Sequence, residues 1–227
     1  MKFLLTNDDG IDAPGMERLE QIVRPLGTTI VVAPQQPQSG VGHRVTTGEP
    51  IGIKAAGDKR YGLDGTPADC ARIGLKNISS DATWLIAGIN PGANLGSDIY
   101  QSGTAAAARE AAILGYPAIA ISQYISKDGT VDWDCTAHHA ALVLQWLLGR
   151  PPDPKCFWNV NLPHPLTIDQ TVSHQLCGLD PNPHKYVYRK NGAAYQYQGS
   201  IHERPRDPAK DVAVCFGGQI SVTHVTL

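Results

Sequence analysis

The sequence lacks several features that would assign the protein to a particular class. No apolar run approaches the ~20 residues of a membrane span, and only three apolar residues follow Lys2, too few for a signal peptide. Neither sign of charge dominates, since 19 Lys and Arg residues stand against 21 Asp and Glu residues. The composition therefore predicts neither a membrane protein nor a nucleic-acid duplex as a partner.

Cysteine is scarce and scattered. The chain has five cysteines, an odd number, and none of them forms a Cys-x-x-Cys pair. This pattern argues against a disulfide framework and against a zinc site, and it is typical of a reducing compartment. We therefore expect a cytoplasmic protein.

Familiar catalytic motifs are also missing from the sequence. There is no G-x-x-x-x-G-K-[ST], G-x-S-x-G or H-E-x-x-H, which argues against a P-loop NTPase, a serine hydrolase with a nucleophile elbow and a zincin. What remains is a chain of 227 residues, 42% of them apolar. That is enough for one large core or two small ones.

Apolar strands alternate with helical segments up to about residue 162. The predicted strands are Lys2–Thr6, Thr29–Ala33, Trp84–Ala87, Ala118–Gln123 and Phe157–Leu162, with short edge strands at Glu49–Ala55 and Tyr61–Leu63. The predicted helices are Gly15–Leu26, Pro67–Lys76, Gly103–Leu114 and Trp133–Leu148. This alternation predicts an α/β protein with a mostly parallel sheet and helices on both faces.

After Pro163 the helical periodicity stops. We expect residues 1–162 to form a catalytic core and 163–227 a C-terminal extension of the same domain, with a hairpin over 184–199. Asn191-Gly192 suits a type I′ turn, which would place Tyr188 opposite Tyr195 and Tyr186 opposite Tyr197. An isolated hairpin is marginal in water, so this one would pack on a second subunit or on its own core.

Two adjacent carboxylates, Asp8 and Asp9, follow the first predicted strand and precede Gly10. Ligands of open α/β sheets bind beyond the carboxyl ends of the strands. Neighbouring like charges repel unless a cation lies between them, and Mg²⁺ and Mn²⁺ take such oxygen ligands. Both carboxylates can reach one ion only if the strand has ended by Asp8. The pair predicts a metal site, with an Asx-type turn as the alternative.

Three further loops are expected at the same edge of the sheet. In Ser39-Gly40, the serine could be an oxygen ligand, a phosphate donor or a plain turn residue. The Gly-rich loop of Asn90 and Asn94 could present amide oxygens to a ligand or could be a structural turn. Ser102 or Thr104 could cap the next helix, whose start would form an anion site. A cation site beside an anion site suits phosphate ester chemistry.

The identity of the proton acceptor is open. His43 lies four residues beyond Ser39 and could act as an acid or a base, or it could have a structural or solvent-facing role. Asp9 is the other candidate. Because the two acids are adjacent rather than spaced as Asp-x-Asp, attack by water is favoured over a covalent aspartyl intermediate.

The residues at these junctions resemble those of the SurE family, the stationary-phase survival proteins, which are metal-dependent 5′-nucleotidases and acid phosphatases. The matching segments span nearly the whole chain in order, and their combination is highly specific. They are Leu4–Gly15, Val32–Pro34 with Gln38–Gly40, Gly65–Cys70, Gly88–Gly96, Tyr100 with Ser102–Thr104, Asn159–Pro163 and Ser221–Thr223. The chain departs from the family at Gln101, which interrupts a Tyr-Ser-Gly-Thr pattern, and at His224, where proline is frequent.

The resemblance implies a Rossmann-like, three-layer fold with a C-terminal β-hairpin extension and one divalent metal ion per subunit, Mg²⁺ or Mn²⁺. It implies that the subunits form a homodimer or homotetramer and exchange C-terminal elements, for which the Tyr-rich hairpin is a candidate. The implied metal ligands are Asp8, Asp9, Ser39 and Asn94, of which Asp8, Asp9 and Asn94 are also expected to be catalytic. The expected phosphate-binding residues are Gly40, Asn90, Ser102, Gly103 and Thr104.

The expected function is metal-dependent hydrolysis of nucleoside 5′-monophosphates, a small-molecule nucleotide substrate, to nucleoside and phosphate. One alternative is a broad-specificity acid phosphatase or exopolyphosphatase. The other is a non-catalytic, nucleotide-binding regulatory protein on the same sheet.

Overall fold

A nine-stranded sheet forms the centre of the protein in a computed structural model that describes residues 1–127 and 129–227. Its strand order is β3-β4-β2-β1-β5-β6-β7-β11-β8, and a separate two-stranded sheet consists of β9 and β10. The strands are β1 (Lys2–Thr6), β2 (Thr28–Pro34), β3 (Ile53–Gly57), β4 (Arg60–Leu63), β5 (Trp84–Pro91), β6 (Ala118–Gln123), β7 (Cys156–Leu162), β8 (His174–Leu176), β9 (Tyr188–Asn191), β10 (Ala194–Tyr197) and β11 (Ile220–Thr226).

Five α-helices accompany these strands in the described part of the chain. They are α1 (Pro14–Val23), α2 (Pro67–Ile73), α3 (Gly103–Ile113), α4 (Trp133–Leu148) and α5 (Asp211–Phe216). Phe3 and Leu5 belong to the core that α1 and α4 cover, whereas Leu4 belongs to the core that α2 and α3 cover. The strand period of two thus builds three layers, with helices on both faces.

The predicted α/β class and mostly parallel sheet are confirmed. Only β3 with β4 and β11 with β7 pair antiparallel within the large sheet. β5 runs to Pro91, beyond the predicted end at Ala87. Among the described residues, no helix combines the length and the apolar character needed to cross a bilayer.

The hairpin forms, but its predicted register is wrong: the turn lies one residue later, and the strand pairing is displaced by two residues. Tyr188 lies opposite Tyr197, and Tyr195 lies opposite Lys190. Gly192 has φ +60°, whereas neither neighbour has a positive φ. A type I′ turn needs positive φ at both central residues, while a type II′ turn needs it only at the first. Gly192-Ala193 is therefore the turn, and Asn191 belongs to the ladder.

Candidate active site

A cleft with a volume of about 310 Å³ opens at the carboxyl ends of β1 and β5 and the start of α3. Most of the predicted site residues line it. They are Asp8, Asp9, Ser39, Gly40, Asn90, Asn94 and Ser102. Segments remote in sequence converge there because parallel strands end at the same edge of a sheet.

Asp8 and Asp9 lie in a turn beyond β1, which ends at Thr6. The condition for two adjacent carboxylates to face one ligand is therefore met. The side-chain amide of Asn7 donates to the carbonyl of Gly10 at 2.8 Å and closes this turn. The backbone N–H of Gln38 donates to the carbonyl of Asp8 at 2.7 Å, which holds the Ser39 loop against it.

The two carboxylates share a poorly hydrated environment. Burial raises the pKa of Asp8, although a hydrogen bond from the Thr104 hydroxyl opposes the shift. Burial, and then the charge of Asp8, raise the pKa of Asp9 to about 7. Among the described residues, no lysine or arginine lines the cleft. The charge of the pair is therefore left for a ligand to neutralise.

Asn94 is held so that its side-chain oxygen remains available. Its amide nitrogen donates to Ser122 Oγ at 2.8 Å, and its backbone N–H donates to Asn161 Oδ1 at 2.7 Å. Its carbonyl accepts from the side chains of Asn159 and Asn161. With these groups occupied, Oδ1 is the side-chain atom left to face the cleft.

The donor set fits a hard divalent cation. Oδ2 of Asp9 and Oδ1 of Asn7 are buried without a hydrogen-bond partner among the described residues. Two carboxylates with serine and asparagine oxygens suit Mg²⁺ or Mn²⁺. Among the described residues, no three or more His, Cys, Asp or Glu side chains are arranged so that they could hold a metal ion together, so a zinc-type site of such side chains is not found there.

The start of α3 packs directly on Asp8. The side chain of Ser102 accepts from the backbone N–H of Ala105 at 3.0 Å, which makes it the cap. The hydroxyl of Thr104 donates to Asp8 Oδ1. A Cβ on Gly103 would lie 2.7 Å from the Cβ of Asp8, so only glycine permits this approach. Gly103 and Thr104 thus position a carboxylate, and their phosphate-binding role stays a prediction.

Comparisons with known proteins identify the family of this chain. The family model described as survival protein SurE matches residues 3–182. This chain belongs to the SurE family. A protein of Synechocystis named putative 5′-nucleotidase is 45% identical over 99% of this chain and 99% of its own length. A protein of Paramagnetospirillum magneticum named 5′-nucleotidase SurE is 36% identical over 98% of this chain and 88% of its own length.

A solved structure shows the same fold. The crystal structure of SurE from Aquifex aeolicus has a TM-score of 0.88 and 29% identity, and the match covers 100% of this chain and 93% of that one. The predicted resemblance to the SurE family is thus confirmed.

His43 lies outside the cleft of this SurE chain. Its Nε2 lies 2.7 Å from Glu110 Oε2, and Glu110 also accepts from Arg72 at 2.6 Å. Burial acts to raise the pKa of Glu110, but the contacts with His43 and Arg72 outweigh it and lower the pKa. The geometry therefore gives His43 a structural role and does not support it as the proton acceptor.

Four residues that line the cleft were not predicted as site residues from the sequence: Asp98, Gln101, His184 and Ile201. The family segments flanking Asp98 and Gln101 could have indicated that they lie close to the site. His184 lies in an irregular segment of the extension and Ile201 begins a short 3-10 helix, and no periodicity or motif in the sequence marks either residue. Their presence shows that the extension forms part of the cleft wall.

Buried charges attach the extension to the cleft. The fully buried Arg204 donates to Asp98 Oδ2 at 2.8 Å and to the carbonyl of Leu95 at 3.1 Å. The carboxylate of Asp211 accepts from the backbone N–H groups of Gly96 at 2.7 Å and Asp180 at 2.8 Å. These contacts satisfy buried polar groups that would otherwise be costly.

Proposed function

We propose that this protein hydrolyses nucleoside 5′-monophosphates to nucleoside and phosphate, with one divalent metal ion, Mg²⁺ or Mn²⁺, per subunit. Asp8, Asp9, Ser39 and Asn94 would hold the ion. The observation that carries the proposal is the pair of adjacent, largely buried carboxylates, directly beside the start of α3, with no lysine or arginine among the described residues that line the cleft. The names of the two relatives support a nucleotidase activity.

We assign different roles to the side chains of the cleft. A bound divalent ion would polarise the phosphoryl group and orient a water for attack. Thr104 and Gly103 fix Asp8, while Ser122 and Asn161 fix Asn94. Ser102, Gly40 and Asn90 line the cleft where phosphoryl oxygens would lie, and we assign them to stabilising the charge there.

The test is phosphate release from a panel of nucleoside monophosphates, sugar phosphates, polyphosphate and p-nitrophenyl phosphate, with Mn²⁺, Mg²⁺ or EDTA. We expect turnover that requires the metal and is fastest with nucleoside monophosphates. Fastest turnover of polyphosphate or sugar phosphates would replace the nucleotidase by a broad phosphatase. Nucleotide binding without turnover under any metal would replace it by a regulatory protein.

The control variants separate the metal site from general effects. Asp9→Asn should abolish most activity and metal binding while the protein stays folded. Asp12→Asn removes an exposed carboxylate three positions further along the chain and should leave both unchanged. Full activity in Asp9→Asn would overturn the metal assignment.

We also propose that the protein forms a homodimer or homotetramer through its hairpin. The four tyrosines of this segment are at least 44% exposed: Tyr186, Tyr188, Tyr195 and Tyr197. Aromatic side chains in one exposed group are typical of protein interfaces. The five cysteines are all free, and we propose a reducing compartment, the cytoplasm, as the location.

A further inference from the structure

His184 reaches the cleft from the segment between β8 and β9. Its Nε2 lies 2.5 Å from Asp98 Oδ1, and its side chain is only 15% exposed. Asp98 is held in turn, because its Oδ2 accepts from Arg204 at 2.8 Å and from the backbone N–H of Leu95 at 3.2 Å. An imidazole is thus fixed by a carboxylate, which is fixed by a buried guanidinium.

The rest of the cleft offers few groups that could deliver a proton. Its titratable side chains among the described residues are Asp8, Asp9, Asp98 and His184. The first two are the proposed metal ligands, and Asp98 already accepts from Arg204 and His184. Hydrolysis of a nucleoside monophosphate expels a strongly basic alkoxide, which needs a proton as it leaves. Imidazole is the side chain suited to this task near neutral pH.

We propose that His184 is the general acid that protonates the leaving oxygen, with Asp98 and Arg204 as its positioning residues. The inference rests on the proposed phosphomonoester hydrolysis. It adds a reacting residue from the C-terminal extension to a site otherwise built from the strand ends.

The Nδ1 atom of His184 is the one left for the substrate. Nε2–H donates to Asp98, whereas Nδ1 is buried without a partner among the described residues. An ester oxygen in the cleft would supply that partner. The bond between phosphorus and the ester oxygen breaks, and this oxygen takes the proton from Nδ1. Water adds to phosphorus, one of its protons stays on the phosphate, and the other returns through solvent to the imidazole.

The test compares two leaving groups in His184→Gln. Adenosine 5′-monophosphate expels an alkoxide that needs a proton, whereas p-nitrophenyl phosphate expels a stable phenolate that does not. With saturating Mn²⁺, kcat should fall about 10²–10⁴-fold on the nucleotide and change little on the aryl phosphate. Mn²⁺ affinity by calorimetry and the melting temperature should match the wild type.

A matched control is His202→Gln. His202 lies in the same extension, and its Nδ1 is 2.8 Å from Tyr124 Oη, but it does not line the cleft. This variant should leave the ratio of the two rates at the wild-type value. A shifted ratio there would mean that loosening the extension, and not the loss of an acid, explains His184→Gln.

The outcomes separate this inference from the function on which it rests. Equal loss on both substrates, or no loss on either, in His184→Gln would overturn the general acid alone. Wild-type protein that hydrolyses neither substrate would overturn the proposed function and the inference with it. If His184→Gln does not fold, the rate of the wild-type protein is measured across a series of aryl phosphates. A steep dependence of that rate on leaving-group basicity would contradict the proposal.

Discussion

The two walls of the cleft differ in how their side chains are held in place. The strand-end wall, formed by Asp8, Asp9, Ser39, Asn94 and Ser102, is built from loops that follow strands and from the start of α3, which a short 3-10 helix (Gly96–Tyr100) links to β5. The extension wall, formed by His184 and Ile201, contains only an irregular segment and a short 3-10 helix (Ile201–Glu203), and it is attached through buried charges. The first wall depends on backbone geometry, whereas the second depends on a few long-range polar contacts.

The largest effect on stability is expected at the base of the extension wall. Arg204→Met leaves the carboxylate of Asp98, which is only 15% exposed, without its guanidinium partner, and the carbonyls of Leu95 and Asn182 lose a donor. The free energy of unfolding should fall by about 3–5 kcal/mol, as when one partner of a buried pair is removed. Urea unfolding measures this. Arg189→Met, on the exposed strand β9, is the control and should be neutral. An unchanged stability in Arg204→Met would show that other contacts hold this wall.

The strand-end wall should respond in metal affinity rather than in stability. Thr104→Val keeps the shape of the side chain but removes the hydroxyl that donates to Asp8. Removing a group that orients a metal ligand typically lowers metal affinity about 10–100-fold. We expect Thr104→Val to lose Mn²⁺ affinity by a factor of that size, measured by calorimetry.

Thr83→Val is the control for this prediction. It removes a hydroxyl bonded to the backbone of Lys2 at the opposite end of β1 and should not change the affinity. Unaltered Mn²⁺ binding in Thr104→Val would argue against Asp8 as a ligand that Thr104 orients.

A smaller, pH-dependent effect is expected at Asp69, which accepts from Thr46 beyond the Ser39 loop and from Thr66 at the start of α2. Burial acts to raise the pKa of Asp69, but these hydrogen bonds outweigh it and hold the pKa below its ordinary value of 3.8. The ionised carboxylate therefore stabilises the fold above that ordinary value, and this contribution is lost as the pH falls through the folded-state pKa.

Asp69→Asn should lower the free energy of unfolding by roughly 1–2 kcal/mol at neutral pH. In this variant the free energy of unfolding should also decrease less as the pH is lowered into the acid range. Urea unfolding across the acid range measures both quantities. Asp64→Asn, an exposed neighbour, should leave the pH profile as it is. A profile that keeps its full acid slope in Asp69→Asn would assign the slope to other carboxylates.

The smallest effect on unfolding is expected in the hairpin. Tyr188 is 56% exposed, and its ring packs against that of Tyr197 with centroids 5.4 Å apart. Tyr188→Ala should change the free energy of monomer unfolding by at most about 0.5 kcal/mol, yet it should shift the protein towards monomer in light scattering. Leu142→Ala, similarly exposed on α4, should not. An oligomer that withstands Tyr188→Ala would exclude the hairpin as its main contact.

The strand-end wall could be predicted because its signals are local. An apolar run followed at once by Asp8 and Asp9 places both acids at the carboxyl edge, and β1 indeed ends before them. The role of Thr104 could not be read in this way. Its hydroxyl could serve a phosphate or a neighbouring side chain equally well, and only its distance to Asp8 decides between them.

The register of the hairpin could not be predicted from the sequence for a different reason. Asn191-Gly192 and Gly192-Ala193 are both acceptable two-residue turns, and moving the turn by one residue displaces the strand pairing by two. The sequence pattern favours the first, whereas the backbone adopts the second, with positive φ at Gly192 alone among the three. As a result, Tyr188 pairs with Tyr197 rather than with Tyr195.

The sequence by itself determined the order of strands and helices up to residue 162, the two faces of the sheet and the set of oxygen donors beyond the strands, but not β8, α5 and β11 of the extension. Residue periodicity and strand-end position are properties of short segments, so they are visible without the fold. Only the tertiary structure decided that the extension completes the cleft. His184 contacts Asp98, which is 86 residues away in sequence, and Asp211 contacts the backbone of Gly96, which is 115 residues away. Contacts at such separations depend on how the whole chain packs, and no local pattern encodes them.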